Sequence, residues 1–256
     1  MSFKHIISRD NSLFKQLKRI ADSSRERRKL GETLLDGAHL VEAYLEAFGE
    51  PKLLIIPEGE STAEVTYLTQ QLADIPTVMF PTLMFQELAP VASPTGILAV
   101  VKTPNIPAPA ELDFVLMLED IQDPGNLGSM LRTAAAAGVD AVYLSEGCTD
   151  AWSPKALRGG QGAQFVLPIV ERANLVEFAH AFEGQVLATT LNGTFIYAMD
   201  MTVPTAIAIG NEGNGLSDAL QEAATYQVTI PIAGVESLNA AAATSICLFE
   251  RVRQKL

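Results

Sequence analysis

Short apolar runs that alternate with helical stretches are the feature that most restricts how this chain can fold. After residue 112, a continuous apolar run lies at 114–118, and 139–144 is the next predicted strand. A strand that is apolar along its whole length is buried on both faces, and strands that alternate with helices form a mostly parallel sheet covered on both sides. The sequence therefore predicts an α/β fold. Further strands are predicted at 165–169, 186–190, 206–210 and 227–232, and helices near 126–137, 174–183, 217–224 and 238–253.

A proline-rich segment precedes this pattern. Pro104, Pro107 and Pro109 fall within six residues, and proline joins neither a strand ladder nor a helix interior. Residues 103–111 are therefore predicted to form an extended linker, between a small α/β domain at 1–102 and a second domain at 112–256. In the small domain, helices are predicted near 11–29, 38–48, 62–73 and 82–88, and strands at 33–35, 52–56, 76–80 and 96–101.

Charge is distributed unevenly along the chain. The net charge is −12, which argues against a protein that coats DNA or membranes through a broad positive surface. Residues 1–30 nevertheless hold nine cations and three acidic residues, a net charge of +6, so the remainder carries −18. A local basic segment of this kind binds phosphates in a salt-dependent manner. A solvated amphipathic helix is an equal alternative, because Leu13, Leu17 and Ile20 recur at helical spacing.

Composition argues against several classes of protein. Cys148 and Cys247 form neither a metal-binding spacing nor a disulfide framework, which favours a reducing, cytoplasmic location. The three histidines are scattered, so neither a metal site nor a histidine-based triad is predicted. Apolar runs fall short of about 18 residues, the length a membrane helix needs, and the N-terminal segment lacks the apolar core of a signal peptide. We therefore expect no metal and no membrane contact.

Three loops at predicted strand ends are rich in glycine, asparagine and charge, and ligands bind at the carboxyl ends of strands in such sheets. The first loop leads into a helix at Asp123-Pro-Gly-Asn126. Asn126 and Arg132 lie outside the apolar stripe of that helix. For this loop taken alone, a helix cap at Asn126 and a surface ion pair at Arg132 are favoured over a ligand site.

The other two loops span 210–217 and 230–239. Three glycines in the former permit close approach of a ligand, but an ordinary strand-to-helix loop with Ser217 as N-cap is the alternative. In the latter, Ser237 is predicted to cap the last helix, whose first N–H groups are available to an anionic group. Capping alone would also explain Ser237.

Together, the three loops resemble the motifs of the SpoU family of RNA ribose 2′-O-methyltransferases, within the SPOUT superfamily. The matching segments are Asp123-Pro-Gly-Asn126-Leu-Gly128-(three residues)-Arg132-Thr-Ala134, Gly210-Asn-Glu212-Gly-Asn-Gly215-Leu-Ser217 and Ile230-Pro-Ile232-(four residues)-Ser237-Leu-Asn239. Residues 153–163 also look familial, although serine is commoner where Gly160 stands. The N-terminal part resembles the ribosomal-protein-like substrate-binding domain often fused to this family, through the basic segment and Leu35-Asp-Gly-Ala-His-Leu-Val41.

This resemblance implies a trefoil-knotted C-terminal domain and an obligate homodimer, with the active site where two subunits meet. Knots are rare, and the periodicity of the sequence does not indicate one. S-adenosylmethionine is the implied cofactor, held largely by backbone groups of three loops. The implied cofactor-binding residues are Thr189, Thr190, Leu191, Asn192, Gly193, Ile209, Gly210, Asn211, Gly213, Ile230, Ile232, Ser237, Leu238 and Asn239.

The implied reaction is methyl transfer to a ribose 2′-OH of structured RNA, with rRNA favoured over tRNA. Arg132 is the implied base, although a guanidinium, which stays protonated at neutral pH, could equally fix a phosphate and stabilise the alkoxide. The supporting catalytic residues would be Asn126, Glu212, Ser237 and Asn239. The residues predicted to bind RNA are Lys15, Lys18, Arg19, Arg25, Arg27, Arg28, Lys29 and Arg158.

Two alternatives share this fold. A non-catalytic RNA-binding protein would bind RNA but not the cofactor, and a base methyltransferase of the wider superfamily would modify a base. A nicotinamide oxidoreductase is disfavoured, because the Gly-x-Gly-x-x-Gly fingerprint of dinucleotide binding is absent from the sequence.

Overall fold

A computed structural model describes residues 3–89, 91 and 94–256 of the chain. The strands are β1 (Lys4–His5), β2 (Glu32–Asp36), β3 (Leu53–Pro57), β4 (Thr77–Phe80), β5 (Leu98–Lys102), β6 (Phe114–Leu118), β7 (Ala141–Leu144), β8 (Ile169–Val170), β9 (Gln185–Phe195), β10 (Thr205–Ile209) and β11 (Tyr226–Thr229). The helices are α1 (Ser12–Asp22), α2 (Ser24–Leu30), α3 (Ala38–Phe48), α4 (Ala63–Gln71), α5 (Thr82–Leu88), α6 (Pro124–Ala137), α7 (Pro154–Gly160), α8 (Leu175–Ala181), α9 (Asp218–Ala223) and α10 (Ala240–Lys255).

These elements group into two compact units. The first contains the described residues up to Pro104 together with Trp152–Phe165, and the second contains Asn105–Ala151 and Val166–Leu256. The segment Trp152–Phe165 falls in the range 112–256 that the sequence suggested as one domain, and its contacts place it with the first unit instead.

The first unit is built on a five-stranded sheet with the order β1-β4-β3-β5-β2. Strand β5 runs antiparallel to both β2 and β3, whereas β1, β4 and β3 are parallel to one another. The apolar face of α1 packs on this sheet, where the ring of Phe14 meets that of Phe80 edge to face at 5.4 Å. The first unit therefore has a hydrophobic core of its own.

The basic segment near 11–29 forms two helices rather than the single helix predicted. Helix α1 ends at Asp22, and the side chain of Ser23 caps α2 by accepting from the N–H of Glu26. The guanidinium of Arg27 is buried and donates to the carbonyls of Ile20 (2.7 Å) and Ala21 (2.9 Å). Arg27 thus satisfies carbonyls that the end of α1 leaves without helical partners.

Segment 152–165 is held in the first unit by polar and aromatic contacts. The hydroxyl of Thr33 donates to the carbonyl of Trp152 at 2.6 Å. Arg158, on α7, donates to the carboxylate of Asp36 at 2.5 Å, and the Asp36 side chain is fully buried. The ring of Phe165 meets that of Tyr44 edge to face at 5.6 Å.

A six-stranded parallel sheet with the order β11-β9-β10-β6-β7-β8 forms the centre of the second unit. Every residue of β6 is buried, as the continuous apolar run predicts. The register pairs Leu118 with both Ile209 and Leu144, so β6, β10 and β7 end at the same edge. The loops that follow these strands therefore emerge side by side.

Strand β9 contains an irregularity that matters for the site. Against β11, Ala188 pairs with Gln227 but Thr194 pairs with the next residue, Val228. The intervening residues 189–193 therefore bulge out of the ladder. A Cβ at Gly193 would stand 2.6 Å from the carbonyl oxygen of Gln227, so the bulge packs against β11 where only glycine fits.

Two local predictions were wrong. Asn239, not Ser237, caps the last helix, because the Asn239 side chain accepts from the N–H groups of Ala241 and Ala242. The predicted strand at 165–169 is a 3-10 turn at Ala163–Phe165 followed by the two-residue β8. Ser217 caps α9, as the alternative considered for its loop has it, and Ser153 caps α7. Within the described ranges, helices long and apolar enough to cross a bilayer are not found.

Candidate active site

A cavity of about 690 Å³ opens at the carboxyl edge of the parallel sheet of the second unit. Three segments form its walls: the bulge of β9, the glycine-rich loop after β10, and the segment from the end of β11 into α10. Predicted cofactor residues that line it are Thr189, Thr190, Leu191, Asn192, Ile209, Gly210, Asn211, Gly213, Ile230, Ile232, Ser237 and Leu238. The two remaining predicted residues, Gly193 and Asn239, support the walls from outside.

The lining of the cavity is polar but nearly uncharged. Thr189 donates to the carbonyl of Ala208 at 2.9 Å and Thr190 donates to that of Asn192 at 2.8 Å, so both hydroxyls hold the wall together. Glu212 is the single charged side chain among the described residues that line the cavity. A cationic or zwitterionic ligand fits such a lining better than a phosphate-bearing one, which would need basic partners.

The glycine-rich loop is a compact turn held by its own amide groups. The side-chain oxygen of Asn211 accepts from the N–H groups of Gly213 (2.8 Å) and Asn214 (3.1 Å), and Asn211 and Gly215 form an isolated bridge. A Cβ at Gly210 would stand 2.3 Å from the carbonyl carbon of Gly215. Glycine at 210 is therefore required by closure of the loop on itself.

Polar residues from all three sequence motifs meet beside this loop. The amide nitrogen of Asn126, in the first turn of α6, donates to the carboxylate of Glu212. The amide nitrogen of Asn239, at the start of α10, donates to the side-chain oxygen of Asn126 at 3.4 Å. The helix cap at α6 is supplied by Asp123, whose side chain accepts from the N–H of Asn126. The side chain of Asn126 is therefore used to connect two loops rather than to cap its helix.

Arg132 does not join this group. It lies six residues after Asn126 on α6, which rotates its side chain about 120° away around the helix axis. The side chain is exposed and lies outside the lining of the cavity. Among the residues that the structure describes, no hydrogen-bond or ion-pair partner of Arg132 is found. The surface ion pair considered as an alternative for Arg132 is therefore not found among these described residues.

Several residues of the cavity wall were not anticipated from the sequence. Phe195, Gln221 and Gln227 line the cavity, as does Ala243 in the first turn of α10. The cavity wall is shaped by the bulge of β9 and by the packing of the start of α10 beside it. A hydrophobic periodicity pattern predicts neither feature. The alanine run at 240–243 was the one available signal, since small side chains there permit close approach.

The cations predicted to bind RNA differ in their surroundings. Lys15 pairs with Asp10 at 2.8 Å, and Lys18 donates to the carbonyl of Glu87 at 2.7 Å. Arg27 is buried against α1, and Arg158 is paired with the buried Asp36. The remaining predicted cations have exposed side chains: Arg19, Arg25, Arg28 and Lys29.

Comparison with known proteins places these motifs in a family. The model of the SpoU rRNA Methylase family matches residues 113–249. The chain is 34% identical to the 23S rRNA guanosine 2′-O-methyltransferase RlmP of Bacillus subtilis, over 96% of this chain and 98% of that protein.

Solved structures give the same result. The SpoU methyltransferase AviRb from Streptomyces viridochromogenes, in complex with AdoMet, aligns with a TM-score of 0.83 at 29% identity and covers 96% of this chain and 98% of its own. An AdoMet-bound rRNA methyltransferase from Sinorhizobium meliloti aligns with a TM-score of 0.83 at 27% identity over 99% of each chain. With its three motifs gathered at one sheet edge, this chain belongs to the SpoU rRNA methylase family.

Proposed function

We propose that this protein transfers the methyl group of S-adenosylmethionine to a ribose 2′-OH of rRNA. The observation that carries the proposal is the contact of Asn126, Glu212 and Asn239, one from each family motif, beside a cavity of suitable size. The relative from Bacillus subtilis is named for 2′-O-methylation of a 23S rRNA guanosine.

The residues of the cavity fit S-adenosylmethionine. Its volume of about 690 Å³ lies within the range of small-molecule sites, about 300–1,000 Å³. The wall offers threonine, asparagine and glutamine groups and the carboxylate of Glu212, which suits a ligand that carries an adenine, a ribose and a net positive charge. When bound, the cofactor supplies a methyl group activated by a sulfonium. AviRb is described in complex with AdoMet.

The roles of the protein's own residues follow from their positions. The loop walls hold the cofactor, and the contact between Asn126 and Glu212 fixes the first motif against the second. A ribose hydroxyl is a weak acid, so proton removal and stabilisation of the developing alkoxide both lower the barrier. Arg132, exposed on the next turn of α6, would bind an RNA phosphate and stabilise that oxygen. Ser237, exposed at the mouth of the cavity, would orient the ribose.

A homodimer completes the site in this proposal. Arg132 is exposed and lies outside the cavity of its own chain, so a cavity supplied by a second copy would bring the arginine to bound cofactor. Phe249, on α10, exposes 45% of its surface, and exposed large apolar residues are typical of subunit interfaces.

We further propose a trefoil knot in the second unit, RNA contacts in the N-terminal part and a cytoplasmic location. The family implies a trefoil knot, and the packing of α10 against both α6 and β10 after the chain has left the edge strand β11 is in keeping with it. The N-terminal domain proposed at 1–102, which the linker 103–111 follows, would bind RNA through the exposed cations of α1 and α2. An rRNA substrate and two free cysteines agree with a cytoplasmic protein.

Methyl transfer from labelled S-adenosylmethionine to rRNA tests the proposal directly. We expect label in RNA with the wild-type protein and background label with Arg132→Ala, while both bind the cofactor in calorimetry. Nuclease digestion and mass spectrometry then identify the product, because ribose methylation blocks cleavage at the modified nucleotide. Label on a base would support the base methyltransferase instead. RNA binding without cofactor binding would support the non-catalytic alternative.

A further inference from the structure

Two consecutive residues at the end of β6, Glu119 and Asp120, hold both ends of the glycine-rich loop. The carboxylate of Glu119 accepts from the N–H of Ser217 at 2.6 Å and from its hydroxyl at 2.8 Å. The carbonyl of Asp120 accepts from the side-chain amide of Asn211 at 2.9 Å. Ser217 and Asn211 are the last and second residues of the loop 210–217, so both ends are anchored to the neighbouring strand.

Both hydrogen-bond donors of Ser217, its N–H and its hydroxyl, are used in the contact with Glu119. The Ser217 hydroxyl donates to Glu119 and accepts from the N–H of Leu220, which caps α9. The Ser217 N–H precedes the helix and has no helical partner. A carboxylate is suited to this position because both of its oxygens accept, and hydrogen bonds to an ionised acceptor are the stronger ones.

Asp120 is held in an unusual conformation at the other end. Its φ is +55°, in the left-handed region that aspartate tolerates better than most residues. Its N–H donates to the hydroxyl of Ser145 at 2.9 Å, and that hydroxyl donates back to its carboxylate at 2.8 Å. Ser145 thereby stabilises the conformation in which the Asp120 carbonyl accepts from Asn211.

We propose that Glu119 is a positioning residue for the cofactor, which acts through Ser217 to hold the glycine-rich loop in the shape that binds S-adenosylmethionine. This rests on the cofactor site proposed above. The loop contributes Gly210 and Glu212 to the cavity. Its hydrogen bonds to Glu119 and Asp120, which directly follow β6, join it to a central strand of the sheet. Glu119 itself does not line the cavity and need not touch the cofactor.

Calorimetric titration with S-adenosylmethionine tests this role. We expect Glu119→Ala to raise the Kd and the KM for the cofactor about tenfold, because two charge-assisted hydrogen bonds are removed, with kcat at saturating cofactor within about threefold of wild type. Glu119→Gln keeps the size and one acceptor, so its Kd should fall between those of wild type and Glu119→Ala. Glu183→Ala, at an exposed glutamate before β9, is the matched control and should leave the Kd unchanged.

A double-mutant cycle separates positioning from simple destabilisation. If Glu119 acts through Ser217, the variant with both Glu119→Ala and Ser217→Ala binds the cofactor about as weakly as Glu119→Ala alone. Fully additive effects, or a wild-type Kd in Glu119→Ala or Glu119→Gln, would overturn the proposal. Ala243→Phe, which fills the cavity, tests the site itself. A normal Kd for the cofactor in Ala243→Phe would refute both the cofactor site and the role of Glu119. Weak binding in Ala243→Phe together with a normal Kd in Glu119→Ala would refute the role of Glu119 alone.

Discussion

The side chain of Asn126 donates to the carboxylate of Glu212 although 86 residues separate them in the chain. Asn126 lies in the first turn of α6 and Glu212 lies in the loop after β10. The parallel pairing of β6 with β10 brings the two together. We expect Asn126→Asp to reduce kcat more than Asn126→Ala at pH 8, because it places two carboxylates in contact. Like charges raise the pKa of a carboxyl group, so the activity of Asn126→Asp should recover as the pH is lowered.

Steady-state methylation between pH 5.5 and 8.5 measures this difference. Asn126→Ala, which has no added charge, is the control and should follow the pH profile of the wild type. Equal pH profiles for the two variants would show that Glu212 and residue 126 are not in contact during turnover.

Complementation between subunits tests the proposed contribution of a second chain to the active site. Arg132→Ala removes the proposed catalytic arginine, and Ala243→Phe fills the cavity, so each homodimer should be inactive. If each site takes Arg132 from one chain and the cavity from the other, a mixed dimer contains one intact site of its two. Randomly mixed subunits should then show about a quarter of the wild-type activity. The readout is methyl transfer after the two proteins are unfolded together and refolded. A mixture as inactive as its parents would mean that each chain uses its own Arg132.

Charge reversal on α2 should weaken RNA binding without loss of stability. Arg25, Arg28 and Lys29 have exposed side chains, so replacing them by glutamate should lower the affinity for rRNA fragments. The slope of log K against log salt should also fall, by roughly one unit for each RNA phosphate that the variant no longer binds. Filter binding at several salt concentrations measures this slope. An unchanged slope of log K against log salt would mean that the RNA does not bind these three cations.

Arg27 lies between these cations in sequence but should behave differently. Because its buried guanidinium donates to the carbonyls of Ile20 and Ala21, Arg27→Ala should lower the free energy of unfolding by about 1–3 kcal/mol and change the salt slope little. Urea denaturation measures the free energy. A normal stability with a reduced salt slope would assign Arg27 to the RNA-binding cations after all.

Acid should loosen the attachment of α10 to the sheet. A hydrogen bond from Arg251 lowers the pKa of Asp113, with Lys255 adding to the effect. The pKa of Asp113 in the folded state lies below its unfolded value of about 3.9. The stability that this ion pair gives the folded protein is therefore present at pH values above the unfolded pKa, and it is lost as the pH falls through the folded pKa. The melting temperature of Asp113→Asn should therefore depend less on pH below about 4 than that of the wild type. Parallel curves for the two proteins would exclude the pair as a source of acid sensitivity.

Much of the fold was predictable from local pattern. The fully apolar run at 114–118 predicted a strand buried on both faces, and every residue of β6 is buried. The parallel sheet followed from the alternation of strands with helices, and the cap at Ser217 from a serine placed before a helical stretch. The predicted helix at 11–29 was wrong because Ser23 caps a second helix there. A serine within a basic helical pattern does not by itself reveal a break.

The sequence by itself determined which residue types could form a methyltransferase site, because three motifs of glycine, asparagine, glutamate and serine follow strands of one parallel sheet. Tertiary structure decided how those residues are used. Asn126 connects Glu212 to Asn239 instead of capping its helix, Arg132 is turned away from the cavity, and Arg27 and Arg158 are held by the fold. The physical reason is that spacing along a chain sets only local geometry, whereas partners distant in sequence, burial and strand register decide which charges pair and which stay exposed.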